Sequence, residues 1–356
     1  MKRKWILVAA MVLAMAMVVS FSLIGCKTTT TETTTAAATT TTAAATTTTV
    51  AAATTEAFSP EGKSFQLVMI LKGHPVHHIV QFGFLEGAKK LGYKGEILAN
   101  DGAEADASIA LGEAGLAKGT NGMVVWAFGP VYYPFINKLG GKGVPVIVPH
   151  FPIKEGEVKG LVATTGCDPN KYAEAAAEAI GSKIEGKGTV AITQGSFNTT
   201  ENMVAETFAK YMKEHYPNVK VLPAQEEGFD PPVAISKAVA IIQANPDIAG
   251  ALSTTGGGPT TWAGAKDETG KKDMVVIAMD YTRVNLDLVK SGKIYAIIAQ
   301  PLYEEAYNSV VLLDQYLRTG KVAFYNVLEA PLVTADKLDP YYKMLDGVEA
   351  TMGVGK

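Results

Sequence analysis

The chain has 356 residues, with 32 basic and 35 acidic side chains and a formal net charge of −3. Because charges of both signs are interspersed and form no basic patch, nucleic acid is not an expected partner. The only two cysteines stand at positions 26 and 167, so a disulfide framework is excluded as the basis of the fold.

The first 25 residues have the organisation of an export signal peptide. Basic residues 2–4 precede an unbroken apolar run over residues 5–19, and a stretch of small residues ends at Gly25-Cys26. Leu23-Ile24-Gly25-Cys26 resembles the bacterial lipobox, and this resemblance implies cleavage before Cys26 and lipidation of its thiol. The alternative is a permanent N-terminal membrane anchor, since the apolar run is long enough to be a membrane-spanning helix.

Residues 28–57 consist almost entirely of Thr and Ala. Such a composition cannot bury a core, so residues 26–63 are predicted to form a disordered tether behind the lipidated cysteine. From about Ser64 the composition becomes that of a globular protein, and the remaining length suits two lobes.

Beyond the tether, short β-branched or apolar runs alternate with amphipathic stretches of helical length. This alternation predicts βαβ units with parallel sheets. In chain order, the predicted strands cover residues 65–71, 96–99, 123–125, 144–148, 161–163, 188–193, 219–224, 250–253, 274–279 and 295–299. The predicted helices cover residues 76–91, 105–118, 131–139, 171–184, 200–215, 232–243, 260–269, 283–290 and 303–317.

Ten strands exceed what one open sheet usually holds, so we expect an α/β fold with two doubly wound parallel-sheet lobes. Turn-forming residues between 164 and 170 predict the break between them. The carboxyl ends of the strands would then face one shared cleft, where ligands bind in such sheets.

Polar and aromatic side chains follow these strands at the predicted cleft. They are His74, His77, Trp126, His150 and Phe151 in the first half, and Phe229, Thr255, Asp280 and Gln300 in the second. This mixture suits a sugar, whose hydroxyls need planar donors and acceptors and whose apolar ring faces stack on aromatic rings. Asp280 is the best single candidate, because a buried carboxylate can accept two ligand hydroxyls.

Some of these residues also have structural interpretations. Asp280 could be the N-cap of the helix predicted to begin near Arg283, and Trp126 could belong to the core. Phe229 could line the cleft while Asp230 caps the next helix.

The segment from Phe65 to about Leu332 resembles the ribose and galactose class of periplasmic sugar-binding proteins, which are type I binding proteins of ABC importers. The matching stretches, significant through their order and spacing, are Gly73-His74-Pro75, residues 87–93, 118–120, 143–147, 245–248 and 275–280, and Ala299-Gln300. The resemblance implies two lobes joined by a three-crossover hinge. Lobe 1 would comprise residues 64–167 and 301–329, and lobe 2 residues 168–300 and 330–356.

Carried over by position, Asp280 and Gln300 match the ligand-binding Asp and the hinge Gln of that family, and Phe229 matches an aromatic residue of its site. Thr255 stands where Asn is common. Other positions depart from the family pattern: His74 and His77 replace a polar residue and a stacking aromatic, Trp126 replaces a smaller polar residue, and His150-Phe151 replaces an Asp-Arg pair. These departures leave the ligand open, with a signalling furanose of the autoinducer-2 type or a nucleoside as alternatives to a common sugar.

Metal capture is a further alternative, because His74, His77, His78 and His150 could supply nitrogen ligands to zinc. An enzyme is not expected: the sequence has no nucleophile elbow, phosphate loop or paired carboxylates with a general acid. We therefore predict a monomeric, membrane-anchored receptor without a cofactor, whose partners are a small polar ligand and the permease of an ABC importer.

Overall fold

The computed structural model describes residues 58–354. The predicted signal peptide, the lipidation site at Cys26 and most of the tether lie outside these residues. None of the helices in the described range combines the length and hydropathy needed to cross a bilayer.

The described chain consists of two parallel-dominated sheets with helices packed on their faces. Its strands are β1 Ser64–Met69, β2 Lys94–Ala99, β3 Gly122–Val125, β4 Val146–Pro149, β5 Leu161–Cys167, β6 Gly188–Gln194, β7 Val219–Val221, β8 Gln225–Glu226, β9 Ile248–Ser253, β10 Val275–Met279, β11 Ala296–Ile298, β12 Tyr325–Leu328 and β13 Leu332–Val333. Its α-helices are α1 Pro75–Leu91, α2 Ala105–Lys118, α3 Tyr133–Gly141, α4 Pro169–Lys183, α5 Thr199–His215, α6 Pro231–Ala244, α7 Gly258–Thr269, α8 Arg283–Lys290, α9 Leu302–Thr319 and α10 Asp339–Met352.

The two sheets repeat one topology. Lobe 1 has the strand order β2-β1-β3-β4-β5-β12, and lobe 2 has β7-β6-β9-β10-β11-β13 with β8 also paired to β6. All pairs are parallel except β11 with β13. Each sheet therefore has a switch point beside its first strand, between β1 and β3 or between β6 and β9, where a crevice opens for a ligand.

The chain passes between the two sheets three times. It crosses after β5, again between β11 and α9, and finally between β12 and β13, which are separated by residues 329–331. The α/β fold with two doubly wound lobes and a three-crossover hinge is thus confirmed. The first crossing lies between Cys167, where β5 ends, and Asp168, which caps α4.

Tight helix packing completes lobe 1. Helix α1 lies against α9 at Gly83 and Gly87, where an added Cβ would contact the backbone oxygens of Tyr303 and Tyr307. A side chain at Gly83 would overlap the Tyr303 backbone, so glycine allows the close approach of these helices. This packing fixes the N-terminal ends of α1 and α9 beside the carboxyl ends of the strands.

The C-terminal helix α10 contacts both lobes. It packs against α1 of lobe 1 and α8 of lobe 2. The Arg283 guanidinium on α8 bonds the carboxylates of Glu349 and Asp346 on α10, with distances of 2.5 Å from Nε and 2.7 Å from Nη2. On the lobe 1 side, Phe82 of α1 lies against Gly347.

Candidate functional site

A cavity of about 340 Å³ lies where the carboxyl ends of the two sheets meet. All nine residues predicted for the site line it, namely His74, His77, Trp126, His150, Phe151, Phe229, Thr255, Asp280 and Gln300. The structure brings them together from both lobes, because each follows a strand whose carboxyl end faces the gap. Their role in ligand binding stays a prediction.

The backbone is strained at three of the strand ends. Leu71, His150 and Asp280 have φ values of 49°, 70° and 69°, in the left-handed region that residues other than glycine uncommonly adopt. All three line the cavity. Such strain persists where the surrounding structure holds a side chain in a required place, so this backbone presents its side chains at a cost to stability.

Asp280 is a buried acceptor without a protein partner. Its side chain is 4% exposed and its Oδ1 makes no hydrogen bond within the described chain. Burial raises the pKa of Asp280 to about 7, with Glu305 and Glu201 adding to the increase and His150 opposing it. The N-cap of α8 is Thr282, whose hydroxyl accepts from the Asn285 amide, so the alternative interpretation of Asp280 as the cap is wrong.

His77 and His150 flank Trp126. The Trp126 ring stacks on His150 with centroids 4.6 Å apart and meets the His77 ring edge-on at 5.6 Å. Phe151 packs against both Trp126 and His150. Trp126 is 3% exposed, so it belongs to the core as well as to the cavity wall, and the two interpretations of this residue do not exclude each other.

His74 and Gln300 each have a hydrogen-bond partner within the protein. His74 is the N-cap of α1, where its Nδ1 accepts from the Val76 amide at 3.3 Å. The Gln300 amide nitrogen donates to the Tyr172 hydroxyl at 3.4 Å. Phe229 lies on the cavity wall 62% exposed, and Asp230 caps α6 as predicted.

A carboxylate that the sequence interpretation missed also lines the cavity. Glu201, in the first turn of α5, accepts from the Gly195 amide at 2.7 Å and the Thr254 hydroxyl at 2.6 Å. It also accepts from the Asn198 side chain at 2.7 Å, while Asn198 caps α5. Asn198-x-x-Glu201 has the spacing of a capping box. This pattern in the sequence could have predicted the start of α5 and the place of Glu201 in its first turn.

The histidines do not form a metal centre. Within residues 58–354, no group of three or more His, Cys, Asp or Glu side chains is placed to hold a metal ion. His78 lines a neighbouring cavity of about 570 Å³ and is absent from the wall of the first. The metal alternative thus lacks a geometric basis in the described part of the chain.

Comparison with known proteins gives the site its context. The family model described as periplasmic binding protein domain matches residues 65–321. Over 179 residues the chain is 29% identical to a D-apiose import binding protein of Actinobacillus succinogenes, a match covering 49% of this chain and 57% of that relative's length.

Solved structures share the fold at lower identity. A sugar-binding protein of a sugar ABC transporter from Bacillus halodurans superposes with a TM-score of 0.73 at 20% identity, covering 79% of this chain and 100% of that one. A solute-binding protein from Actinobacillus succinogenes with bound D-allose gives 0.72 at 19% identity, covering 78% and 100%. A glucose-galactose binding protein from Geobacillus stearothermophilus gives 0.70 at 20% identity, covering 78% and 99%.

Proposed function

The chain belongs to the periplasmic binding protein domain family, and on that premise we propose that it is an extracytoplasmic receptor for a monosaccharide or sugar derivative. It would hand this ligand to the permease of an ABC importer. The observation that carries the proposal is a cavity lined from both lobes at the carboxyl ends of their sheets, which combines a buried carboxylate without a partner in the described chain with a wall of aromatic rings.

The chemistry of the cavity supports a polyhydroxylated ligand. Asp280 offers a free acceptor oxygen for a hydroxyl, and Gln300 offers an amide from the hinge side. The rings of Phe151 and Phe229 provide apolar faces against which the C–H face of a sugar ring can pack. Related proteins named for D-apiose import and for glucose-galactose binding support the same ligand class.

Binding would proceed by hinge closure. The ligand would enter an open cleft, contact one lobe, and then bridge His150 of lobe 1 and Asp280 of lobe 2 as the lobes close. Only contacts made to both lobes favour the closed form over the open one, and the permease would recognise that closed form. We further propose that lipidated Cys26 holds the receptor at the membrane through the Thr/Ala-rich tether.

The test is a binding screen followed by a variant. A thermal-shift screen of monosaccharides, polyols, nucleosides and autoinducer-2 identifies the ligand, and calorimetry measures its affinity. Replacing Asp280 with Ala leaves ligand hydroxyls buried without an acceptor, so we expect a loss of at least ~2 kcal/mol, about 30-fold in Kd. Asp273→Ala is the matched control, since Asp273 is exposed just before β10.

Normal binding by the Asp280→Ala variant would contradict the site. If no sugar, polyol, nucleoside or furanose binds the unmodified protein, the proposed function itself fails.

A further inference from the structure

Glu305 lies behind the cavity wall and contacts His150. It stands in the first turn of α9, is 0% exposed and is absent from the cavity lining. Its Oε1 lies 3.0 Å from His150 Nδ1, and its Oε2 has no hydrogen-bond partner within the described chain. A buried carboxylate is costly unless a charge partner compensates it, and within residues 58–354 only His150 bonds the Glu305 carboxylate.

The pair fixes the state of the His150 ring. Burial raises the pKa of Glu305, and the charge and hydrogen bond of His150 oppose that rise. An ionised Glu305 can only accept, so in the ionised pair Nδ1 of His150 carries a proton and donates it to Glu305. Burial lowers the pKa of His150, but the surrounding carboxylates outweigh that effect and the net direction is upward. The titratable groups around the ring are Glu305 on α9, Asp280 after β10, Glu201 on α5 and His77 on α1.

His77, on the same wall, has the opposite environment. Its Nδ1 lies 2.8 Å from the Ile70 carbonyl oxygen, which can only accept, so this nitrogen also carries a proton. Burial and the neighbouring His74 lower the pKa of His77 to about 4. The ring is therefore neutral at pH 7 and its Nε2 is an acceptor, whereas the pKa of His150 is shifted in the opposite direction.

We propose that Glu305 is a positioning residue for ligand binding, which holds His150 as an imidazolium so that its Nε2–H donates to an acceptor oxygen of the ligand. The ligand would then present an oxygen acceptor to His150 and hydroxyl donors to Asp280 and His77. No Lys or Arg lines this cavity in the described chain, so His150 supplies its cationic donor. The inference deepens the proposed function and rests on it for the identity of the ligand.

The first test needs no ligand. The chain has five histidines, so their imidazole nitrogens can be followed by NMR, with a His150→Asn variant assigning the signal. We expect His150 to be doubly protonated at pH 7.5 in the unmodified protein. In Glu305→Gln, where the amide oxygen can still accept from Nδ1, we expect it to titrate at or below its ordinary value of about 6.5.

The second test measures Kd at pH 7.5 and pH 5.5. For Glu305→Gln we expect at least tenfold weaker binding than in the unmodified protein at pH 7.5, and a smaller deficit at pH 5.5, where His150 regains its proton. Glu304→Gln is the matched control, since Glu304 is the exposed neighbour on the same helix turn. Because Glu305 and His150 both shift the pKa of Asp280, the titration of Asp280 is followed by NMR in both proteins alongside the Kd measurements.

Three outcomes would overturn the inference: a neutral His150 at pH 7.5 in the unmodified protein, an unchanged His150 titration in Glu305→Gln, or a binding deficit equal at both pH values. The first can be measured even if Glu305→Gln does not fold. If the NMR result holds but no ligand of the screen binds, the proposed function fails while the His150–Glu305 pair stands.

Discussion

Asp280 combines three features that oppose stability in the free protein. Its backbone is in the left-handed region, its carboxylate is buried, and its Oδ1 has no partner within the described residues. Residues of this kind are retained when binding requires them, since a ligand hydroxyl would supply the missing partner. Because of these features, a substitution of Asp280 can have opposite effects on the stability of the free protein and on its affinity for ligand.

We expect Asp280→Asn to stabilise the ligand-free protein while weakening binding. The folded pKa of about 7 lies above the unfolded value of about 3.9, so the Asp280 contribution disfavours folding as the pH rises from about 4 to 7. Asn has no such titration and tolerates a positive φ. Calorimetry should therefore show a Tm gain of about 2–4 °C at pH 8 and a much smaller one at pH 4.5. A Tm loss at pH 8 would contradict this account.

The nine cavity residues could be predicted because position after a strand is readable from the sequence. Glu305 could not, since it is one of two adjacent glutamates in an amphipathic helix and only the packing of α9 shows which is buried. The protonation states of the cleft histidines could not be predicted from the sequence either. Both His77 and His150 are predicted at the cleft, but only the structure separates His77, with a lowered pKa, from His150, with a raised one.

The loop between β9 and α7 is the element by which lobe 2 approaches lobe 1. At Gly256 an added Cβ would lie 2.7 Å from Asp280 Oδ2 and 2.9 Å from Val76 Cγ2. Val76 belongs to α1 of lobe 1, so a glycine at this position lets the two lobes come together around the cavity.

Gly256→Ala should therefore hinder closure. We expect at least tenfold weaker ligand binding, because the added methyl group would meet Val76 of lobe 1 and would also displace the Asp280 carboxylate of its own lobe. Gly257→Ala is a matched control, since a Cβ there meets nothing within 4 Å and its φ of −79° suits alanine. Equal effects of the two substitutions on Kd would argue against a closure contact at Gly256.

All ten predicted strands and all nine predicted helices exist, because hydrophobic alternation and helical periodicity reflect burial directly. The elements absent from the prediction were β8, β12, β13 and α10. Tyr325 and Val327 of β12 are 52% and 63% exposed, so that strand buries little and forms because β5 offers it an edge. Such pairing depends on tertiary context, which a local pattern does not contain.

At the scale of the whole molecule, α10 connects the two lobes. Arg283 holds the helix to lobe 2 and Phe82 contacts it from lobe 1. A helix that contacts both lobes in the closed form contributes to the stability of that form even before the ligand bridges the gap.

Arg283→Ala should release α10 from α8. We expect faster amide exchange in α10 and a Kd weakened about threefold to tenfold, a modest effect because Arg283 is partly exposed. Arg318→Ala is the control, since Arg318 also bonds both oxygens of a carboxylate but does so within α9. Unchanged exchange in α10 would show that other contacts hold it.

The last crossover joins β12 and β13, and each of these strands forms one edge of its sheet. Strands β12 and β13 cover the edges of β5 and β11, and they lie close together near the end of the chain. A copy that stopped before residue 325 would leave two rows of unpaired amide and carbonyl groups, each a template for pairing with another molecule. We therefore expect premature termination or C-terminal proteolysis before residue 325 to cause aggregation, because β12 and β13 would no longer cover these edges.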